Sequence, residues 1–382
     1  MRVEFADRTA PFGAYEFFAG GGLAALGLTG FTTRFANDID AAKVRAYRAN
    51  HPDVPLHQGD VWSLTPDDLT GHPDLCWASS PCQDGSLAGA RGGLEARRSG
   101  AFWGFWRLMQ GLQAQGRGPA IVVIENVVGL LTSGGGRDFA AVGGALVEAG
   151  YRVGALEMDA ALWLSQSRPR LFIVAMRADA VPGLDALTGP CPVAPFHSRR
   201  VIAAHDRLPP AIQAHWVWWQ ITPPSRRNHD LADLLIDDAQ ADWFDAAQTE
   251  TLLALTAPLH RARLEAAIAS GTRQVAAGFR RVRTEAGQKV QRLELRFDGL
   301  AGCLRTPSGG SSRQYVLVCQ DGIVRARRLT GREAARLMGV GDDYILPASE
   351  SAGLKLMGDA VCVPVVRALS EQLLVPALTQ QA

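Results

Sequence analysis

The chain has 382 residues, 39 Lys and Arg against 38 Asp and Glu, and a formal net charge of +1; 47% of it is hydrophobic and 20% charged. That balance belongs to a globular chain of two or three domains, or one large domain with an insertion. It excludes a disordered, collagen-like or coiled-coil chain. No run approaches the ~18 apolar residues of a membrane helix, and the charged N-terminus (Arg2, Glu4, Asp7, Arg8) lacks the apolar core of a signal peptide.

Residues 15–19 predict a strand running into Gly20-Gly21-Gly22, 31–36 a second strand and 40–50 a helix. A buried strand follows at 75–78, a helix at 102–113, a strand rich in β-branched residues at 120–124, a helix at 139–149 and a strand at 170–176. Strands separated by helices of this length predict βαβ units and a mainly parallel sheet. The regularity fails between 181 and 224, which hold eight prolines, a sign of irregular chain at a domain boundary. Trp216, Trp218 and Trp219 in this stretch read as the core of a small domain rather than as platforms for bases. Helical periodicity returns at 249–270, a strand at 315–318, a helix at 332–338 and a terminal amphipathic helix at 365–374.

Cys76, Cys82, Cys191, Cys303, Cys319 and Cys362 form no C-x-x-C pair, and the eight histidines show no ligand spacing. The expectation is a reducing cytoplasm, with neither a disulfide framework nor a metal. Charge is unevenly spread. Between Arg261 and Arg313 stand eleven Lys and Arg against four acids, a local excess of seven positive charges, ten of the eleven being Arg. A solvated surface or a nucleic-acid footprint would both read this way.

Four constellations carry chemistry. Strand, glycine turn and helix in Glu16-Phe17-Phe18-Ala19-Gly20-Gly21-Gly22 bring backbone amides to a ligand. Asp38, at the next strand tip where a ribose hydroxyl would bind, and Asp60, after a third element, suit a nucleoside ligand. The turn departs from G-x-G-x-x-G, against a plain dinucleotide site. Ser80-Pro81-Cys82-Gln83 sets a thiol just beyond a strand tip, where a lowered pKa would make it a nucleophile; an inert buried thiol is the alternative. Glu125-Asn126-Val127 ends an aliphatic strand, so Glu125 is either a partly desolvated proton holder or an exposed strand-end acid. Gln166-Ser167-Arg168-Pro169-Arg170 places two arginines around a proline, facing one pocket or the surface.

In this order the motifs resemble the cytosine-5 DNA methyltransferase family, which uses S-adenosylmethionine (SAM). The likeness continues in Arg327-Arg328-Leu329-Thr330-Gly331-Arg332-Glu333-Ala334-Ala335-Arg336-Leu337 and in Gly358-Asp359-Ala360-Val361. It covers 15–177 and about 302–374 and leaves 181–301 without shared motifs. The resemblance implies an α/β fold of the class I SAM-dependent methyltransferase kind, Rossmann-like with a mainly parallel sheet. It implies a catalytic domain in 1–180, an inserted target-recognition domain in 181–301, and a segment 302–382 that returns to complete the catalytic domain and its sheet.

The same likeness implies the roles. Cys82 attacks carbon-6 of a cytosine flipped out of duplex DNA. Glu125 holds the ring at N3, and Arg170 with Arg168 holds the base oxygen. Phe18, Ala19, Gly20, Gly22, Asp38, Ile39, Asp60, Val61, Asp359 and Ala360 line the cofactor, which leaves as S-adenosylhomocysteine; no metal is involved. Gln83, Ser86, Arg280, Arg281, Arg283 and Arg313 contact DNA. A cognate restriction or defence component is an expected partner, a membrane is not, and a monomer suffices. The chain departs from the family pattern at Glu16, Leu23, Gly85, Gly331 and Asp359. An RNA (tRNA) cytosine-5 methyltransferase and a catalytically silent DNA-binding relative are the alternative readings; a nicotinamide oxidoreductase leaves Pro81-Cys82-Gln83 unexplained.

Overall fold

A computed structural model of the chain describes residues 10–81, 100–181, 183–227, 229–285, 287–306 and 313–379. They form two compact units. The larger comprises Glu4–Asp159, Pro169–Pro223 and Val363–Ala382, and the smaller is built on Ala160–Arg168 and Pro224–Cys362.

Seven strands organise the larger unit: β1 (Phe12–Phe17), β2 (Phe31–Asp38), β3 (Leu56–Gln58), β4 (Leu75–Ala78), β5 (Ile121–Asn126), β6 (Tyr151–Asp159) and β7 (Pro169–Arg177). Their order is β3-β2-β1-β4-β5-β7-β6. β1 to β5 pair in parallel, and β7 alone is reversed, antiparallel to β5 and β6. Every residue of β4 and β5 is buried. A central strand covered on both faces needs apolar side chains at consecutive positions, so Ile121-Val122-Val123-Ile124 reads as a run rather than an alternation. Helices α1 (Leu23–Gly27), α2 (Ala41–Asn50), α3 (Ala101–Ala114) and α4 (Arg137–Glu148) lie after β1, β2, β4 and β5. Phe17, Phe105, Ile124, Phe139 and Ile173 share one continuous core.

Three expectations change here. The strand β6 is absent from the sequence reading because Gly154 and Glu157 break its pattern. Gly154 is what lets another segment approach: a Cβ there would lie 2.3 Å from the Val217 carbonyl oxygen and 2.6 Å from Trp219 Nε1. Trp219, in the short strand β9 (Trp218–Trp219) that pairs with β8 (Thr188–Gly189), is buried and donates to the Val174 carbonyl (3.1 Å), and Trp216 joins the core of the larger unit. These tryptophans are therefore core of the large unit, not of a small domain, and the contact boundary falls at Pro224 rather than at 181. Finally, among the described residues the sheet ends with β7 at Arg177, and the C-terminal segment adds helices but no strand to it. Helix Val363–Leu369 packs on α1, where Gly27 leaves room for Val366.

The smaller unit carries an antiparallel sheet in the order β11-β10-β12-β13: β10 (Gln274–Glu285), β11 (Gln288–Arg296), β12 (Gln314–Gln320) and β13 (Ile323–Arg328). Two helices, Ala246–Ala254 and Pro258–Ala269, cover one face through Leu252, Leu264 and Ala267. The sequence predicts one helix here; Pro258, at the first turn of the second, splits it. β12 pairs only with the Gln274–Phe279 half of β10, whereas β10 pairs with β11 as far as Glu285↔Gln288. Residues 280–285 and 288–293 thus form a two-stranded ribbon extending past β12.

The helical run Glu350–Thr379 has the length and mean hydropathy, 1.5, of a membrane-crossing helix, which corrects the expectation that no segment approaches one. Its window is 67% buried inside the protein, as a core helix is.

Candidate active site

The residues singled out in the larger unit collect at one edge of the sheet. β1 to β5 all end there, and β7, being reversed, begins there. Across the edge stand Asp60 (after β3), Asp38 (end of β2), the glycine turn (after β1), Ser80-Pro81 (after β4), Glu125 and Asn126 (end of β5) and Arg170 (start of β7). The carboxyl ends of parallel strands are where open α/β sheets bind ligands.

The glycine turn is held by buried polar groups. Asp38 takes the Gly20 amide on Oδ2 and the Asp40 amide on Oδ1, both at 2.8 Å. A carboxylate has about four lone-pair sites, so two remain for ribose hydroxyls. Gly20 and Gly22 sit at φ 59° and 78°, and Phe18 at φ 56°, a left-handed conformation that costs an aromatic residue about 1–3 kcal/mol. Glu16, 1% exposed, lies beneath the turn. Burial pushes its pKa up to about 8, against the opposing hydrogen bonds from Tyr47 Oη (3.1 Å) and the Ala25 amide. His51 contacts the Gly22 carbonyl oxygen through Nε2 at 3.1 Å, and its own burial lowers its pKa to about 4. Tyr47 and His51 escaped the sequence reading; their i, i+4 spacing on α2, aimed at one side, was the available signal.

Around this turn the side chains differ in availability. Ile39 is 66% exposed beside Asp38. Asp60 is exposed and accepts the Trp62 amide at 3.0 Å. Ala19 and Val61 are buried, Val61 within the hydrophobic core. Leu23, where the family pattern has glycine, opens α1 and is buried.

Ser80 and Asn126 join the tips of β4 and β5. Asn126 Nδ2 donates to the Ser80 carbonyl (3.2 Å) and hydroxyl (3.3 Å), and its Oδ1 accepts the Val127 amide (2.8 Å). Cys82, Gln83 and Ser86 lie outside the described residues; the described chain stops at Pro81. Glu125 pairs with Phe172 in the β5–β7 register, which puts Arg170 on the same face one diagonal away. Arg170 Nε lies 3.4 Å from Glu125 Oε1, with both side chains mostly buried.

Arg168 is corrected. It is 2% exposed, and its Nη atoms donate to the carbonyls of Leu304 (2.9 Å), Gly358 (2.9 Å) and Ala360 (2.6 Å). Backbone oxygens, not a base, occupy this guanidinium, so its part is structural. Ala360 thereby has a local role in the smaller unit, and Asp359 there accepts from the Thr306 hydroxyl. The Arg327–Leu337 block is also a strut. Thr330 caps helix Gly331–Leu337 with Glu333 in a capping box, and Glu333 forms a fully buried pair with Arg327 at 2.6 Å. Gly331, where the family often has proline, donates its amide to Glu350 Oε2 at 2.6 Å, a bond proline could not make.

The basic region is less free than its composition. Arg273 pairs with Asp238, Arg292 with Glu285 and Arg296 with Asp298. Arg281 and Arg283 both pair with Glu294, and Arg280 donates to Gln291 (3.2 Å). Arg313 donates to the Ser351 hydroxyl at 2.6 Å. A cleft of about 370 Å³ runs between 279–283 of β10 and the segment with Gly302, Cys303 and Arg305. Among the described residues no cluster of His, Cys, Asp and Glu could hold a metal ion.

Comparison with known proteins gives this geometry a context. The family model for C-5 cytosine-specific DNA methylases matches residues 12–374. The chain is 32% identical to the type II methyltransferase M.Eco47II of Escherichia coli over 174 residues, 44% of this chain and 40% of that protein, so the first of these likenesses spans about two fifths of the relative. It is 27% identical to the type II methyltransferase M.NgoBI of Neisseria gonorrhoeae over 95% of this chain and 93% of that protein. Two solved structures share the fold. A Spodoptera frugiperda DNMT2 mutant has a TM-score of 0.57 at 15% identity, covering 94% of this chain and 99% of its own. The Entamoeba histolytica methyltransferase EhMeth has 0.59 at 13%, covering 94% and 97%.

Proposed function

Since this chain belongs to the C-5 cytosine-specific DNA methylase family, we propose that it transfers a methyl group from SAM to carbon-5 of a cytosine within a specific duplex DNA sequence. The observation that carries the reading is the buried Glu125–Arg170 pair at the tips of β5 and β7, beside the Ser80-Pro81 turn from which Cys82 follows. The relatives are type II methyltransferases, which supports a restriction-modification or defence setting in the cytoplasm, with a nuclease or defence component as the companion. The reading surface is expected in the smaller unit, after Pro224, with the basic ribbon its best candidate.

The donor set fits the cofactor. Asp38 keeps acceptor sites for ribose hydroxyls, exposed Asp60 offers one for an adenine amino group, and Ile39 presents apolar surface for the ring between them. Phe18, Ala19, Gly20 and Gly22 supply backbone, and Asp359 and Ala360 belong to the same set by family likeness. SAM, when bound, supplies an electrophilic methyl group, and S-adenosylhomocysteine is left.

The chain's own residues prepare the base. Taken out of the stack, the cytosine is open to attack by the Cys82 thiolate at carbon-6. Glu125, carrying a proton, donates it in a hydrogen bond to N3 and offsets the negative charge that develops on the ring, while Arg170 orients Glu125 and reaches the base oxygen. Once carbon-5 carries the methyl group, its proton passes to a solvent base, the 5,6 double bond re-forms, and the carbon-6–sulfur bond breaks to return Cys82 as thiolate. Gln83 and Ser86 are proposed contacts to DNA by family likeness.

Sequencing by bisulfite and long reads of DNA from cells expressing the chain tests this directly. The expected result is 5-methylcytosine in one sequence context, abolished by Cys82→Ala. Unmodified DNA, or methylation of tRNA only, would overturn it.

A further inference from the structure

The ribbon past β12 holds a pre-set arginine. Arg281 lies on β10 with its side chain half exposed, opposite Arg292 and diagonal to Glu294 on the same ribbon face. Its Nε is 3.4 Å from Glu294 Oε2, and its guanidinium carbon sits 4.9 Å from the centre of the Phe279 ring. Glu294 is only 8% exposed, so this is a carboxylate fixed within the sheet and not a mobile surface acid. Its other oxygen takes Nε and Nη2 of Arg283. The two arginines therefore differ. Arg283 spends two donors on Glu294. Arg281 stands at ion-pair distance through Nε alone, without a hydrogen bond to Glu294, and among the described residues no hydrogen bond takes up its two terminal nitrogens.

Building on the function proposed above, we infer that Arg281 reads a guanine of the DNA target, its Nη1 and Nη2 donating end-on to O6 and N7 in the major groove, with Glu294 and Phe279 as positioning residues. A two-stranded ribbon fits that groove, and paired donors to O6 and N7 are the contact that singles guanine out. An arginine drawn to a fixed carboxylate at Nε and packed on a ring has a narrowed set of rotamers beforehand, so less is lost when it meets a base. A phosphate contact needs no such restraint. The neighbouring cations supply the attraction: five Lys and Arg stand at 280–292 against Glu285 alone.

Methyl transfer to a randomised duplex library, read by sequencing at two salt concentrations, decides the matter. The wild type should require guanine at some position of its context. Arg281→Ala should lower that one preference about 10–100-fold and leave the others intact. Arg281→Lys keeps the charge but loses the fork, so it should lose the preference at an unchanged salt slope. Glu294→Gln raises the net charge by one. A merely electrostatic role for Glu294 predicts tighter DNA binding with selectivity intact, whereas positioning predicts a several-fold loss at the same guanine. Replacing that guanine with 7-deazaguanine, which removes N7 and keeps O6, should weaken the wild type part of the way towards Arg281→Ala and leave Arg281→Ala itself unaffected. A uniform loss over all sequences in Arg281→Ala, with the salt slope reduced by about 0.9, would make Arg281 a phosphate contact and overturn the inference, as would unchanged selectivity in Glu294→Gln. A wild type that methylates no duplex fails at the functional reading instead.

Discussion

Asn126 donates both to the carbonyl and to the hydroxyl of Ser80, and so ties the turn after β4 to the last residue of β5. Ser80 and Asn126 are both buried. Asn126→Ala leaves two Ser80 acceptors without their donor, at a cost of about 1–3 kcal/mol. The strain falls on the turn that leads to Cys82. Single-turnover methyl transfer should drop about tenfold or more, while SAM affinity by calorimetry stays within about twofold. Asn126→Asp, which replaces a donor with an acceptor, should be no better. A variant with wild-type turnover would show that the tie does not position the thiol.

Glu125 and Arg170 are expected to act as a unit. Each alone leaves a mostly buried charge without its partner. Glu125→Gln and Arg170→Ala should each lower kcat by about 100-fold or more, and the double variant should be little worse than the poorer single one, as groups sharing one function behave. Strict additivity in the double-mutant cycle would mean the two serve separate steps.

The glycine turn separates two kinds of glycine. A Cβ on Gly22 would lie 2.4 Å from His51 Nε2 and 2.9 Å from Tyr47, at a φ of 78°. On Gly20, at φ 59°, it would meet no protein atom within 4 Å. Gly22→Ala should therefore lower Tm by several degrees and weaken SAM binding with it. Gly20→Ala should show only the backbone penalty, about 1 kcal/mol, so a larger loss of SAM affinity there reports the cofactor's own approach to the turn.

Much of this was legible in the sequence. The runs 75–78 and 120–124 announce central strands because a parallel sheet covered on both faces needs unbroken apolar residues, and Gly20-Gly21-Gly22 marks where backbone must turn sharply. What stayed hidden depends on partners remote in sequence. Nothing local to Arg168 reveals that Leu304, Gly358 and Ala360 offer it their carbonyls, so two similar arginines looked like one catalytic pair. Nothing local to Trp219 tells that it packs against the large sheet, because its approach and that of the Val217 carbonyl depend on Gly154 having no side chain. The β10–β11 hairpin was seen only as charge, since Arg alternating with Val and Thr carries no apolar face for periodicity to detect.

Two titrating groups beside the glycine turn give the larger unit a pH signature. Burial raises Glu16 from 4.5 to about 8, so the folded protein keeps a proton that the unfolded chain releases. The stability this confers is complete below pH 4.5 and is lost as pH climbs to about 8. His51 acts oppositely. Burial lowers it from 6.5 to about 4, so the unfolded chain takes up a proton first, and stability falls as pH drops from 6.5 to about 4. From 4.5 to 6.5 the two slopes oppose each other, and from 6.5 to 8 Glu16 acts alone. Glu16→Gln keeps the shape and stays neutral at every pH. It should match the wild type in Tm near pH 5, exceed it near pH 8, and flatten the fall between 6.5 and 8. Thermal melts at fixed ionic strength check this, and a wild-type slope unchanged by the substitution would mean that Glu16 is already ionised beneath the turn.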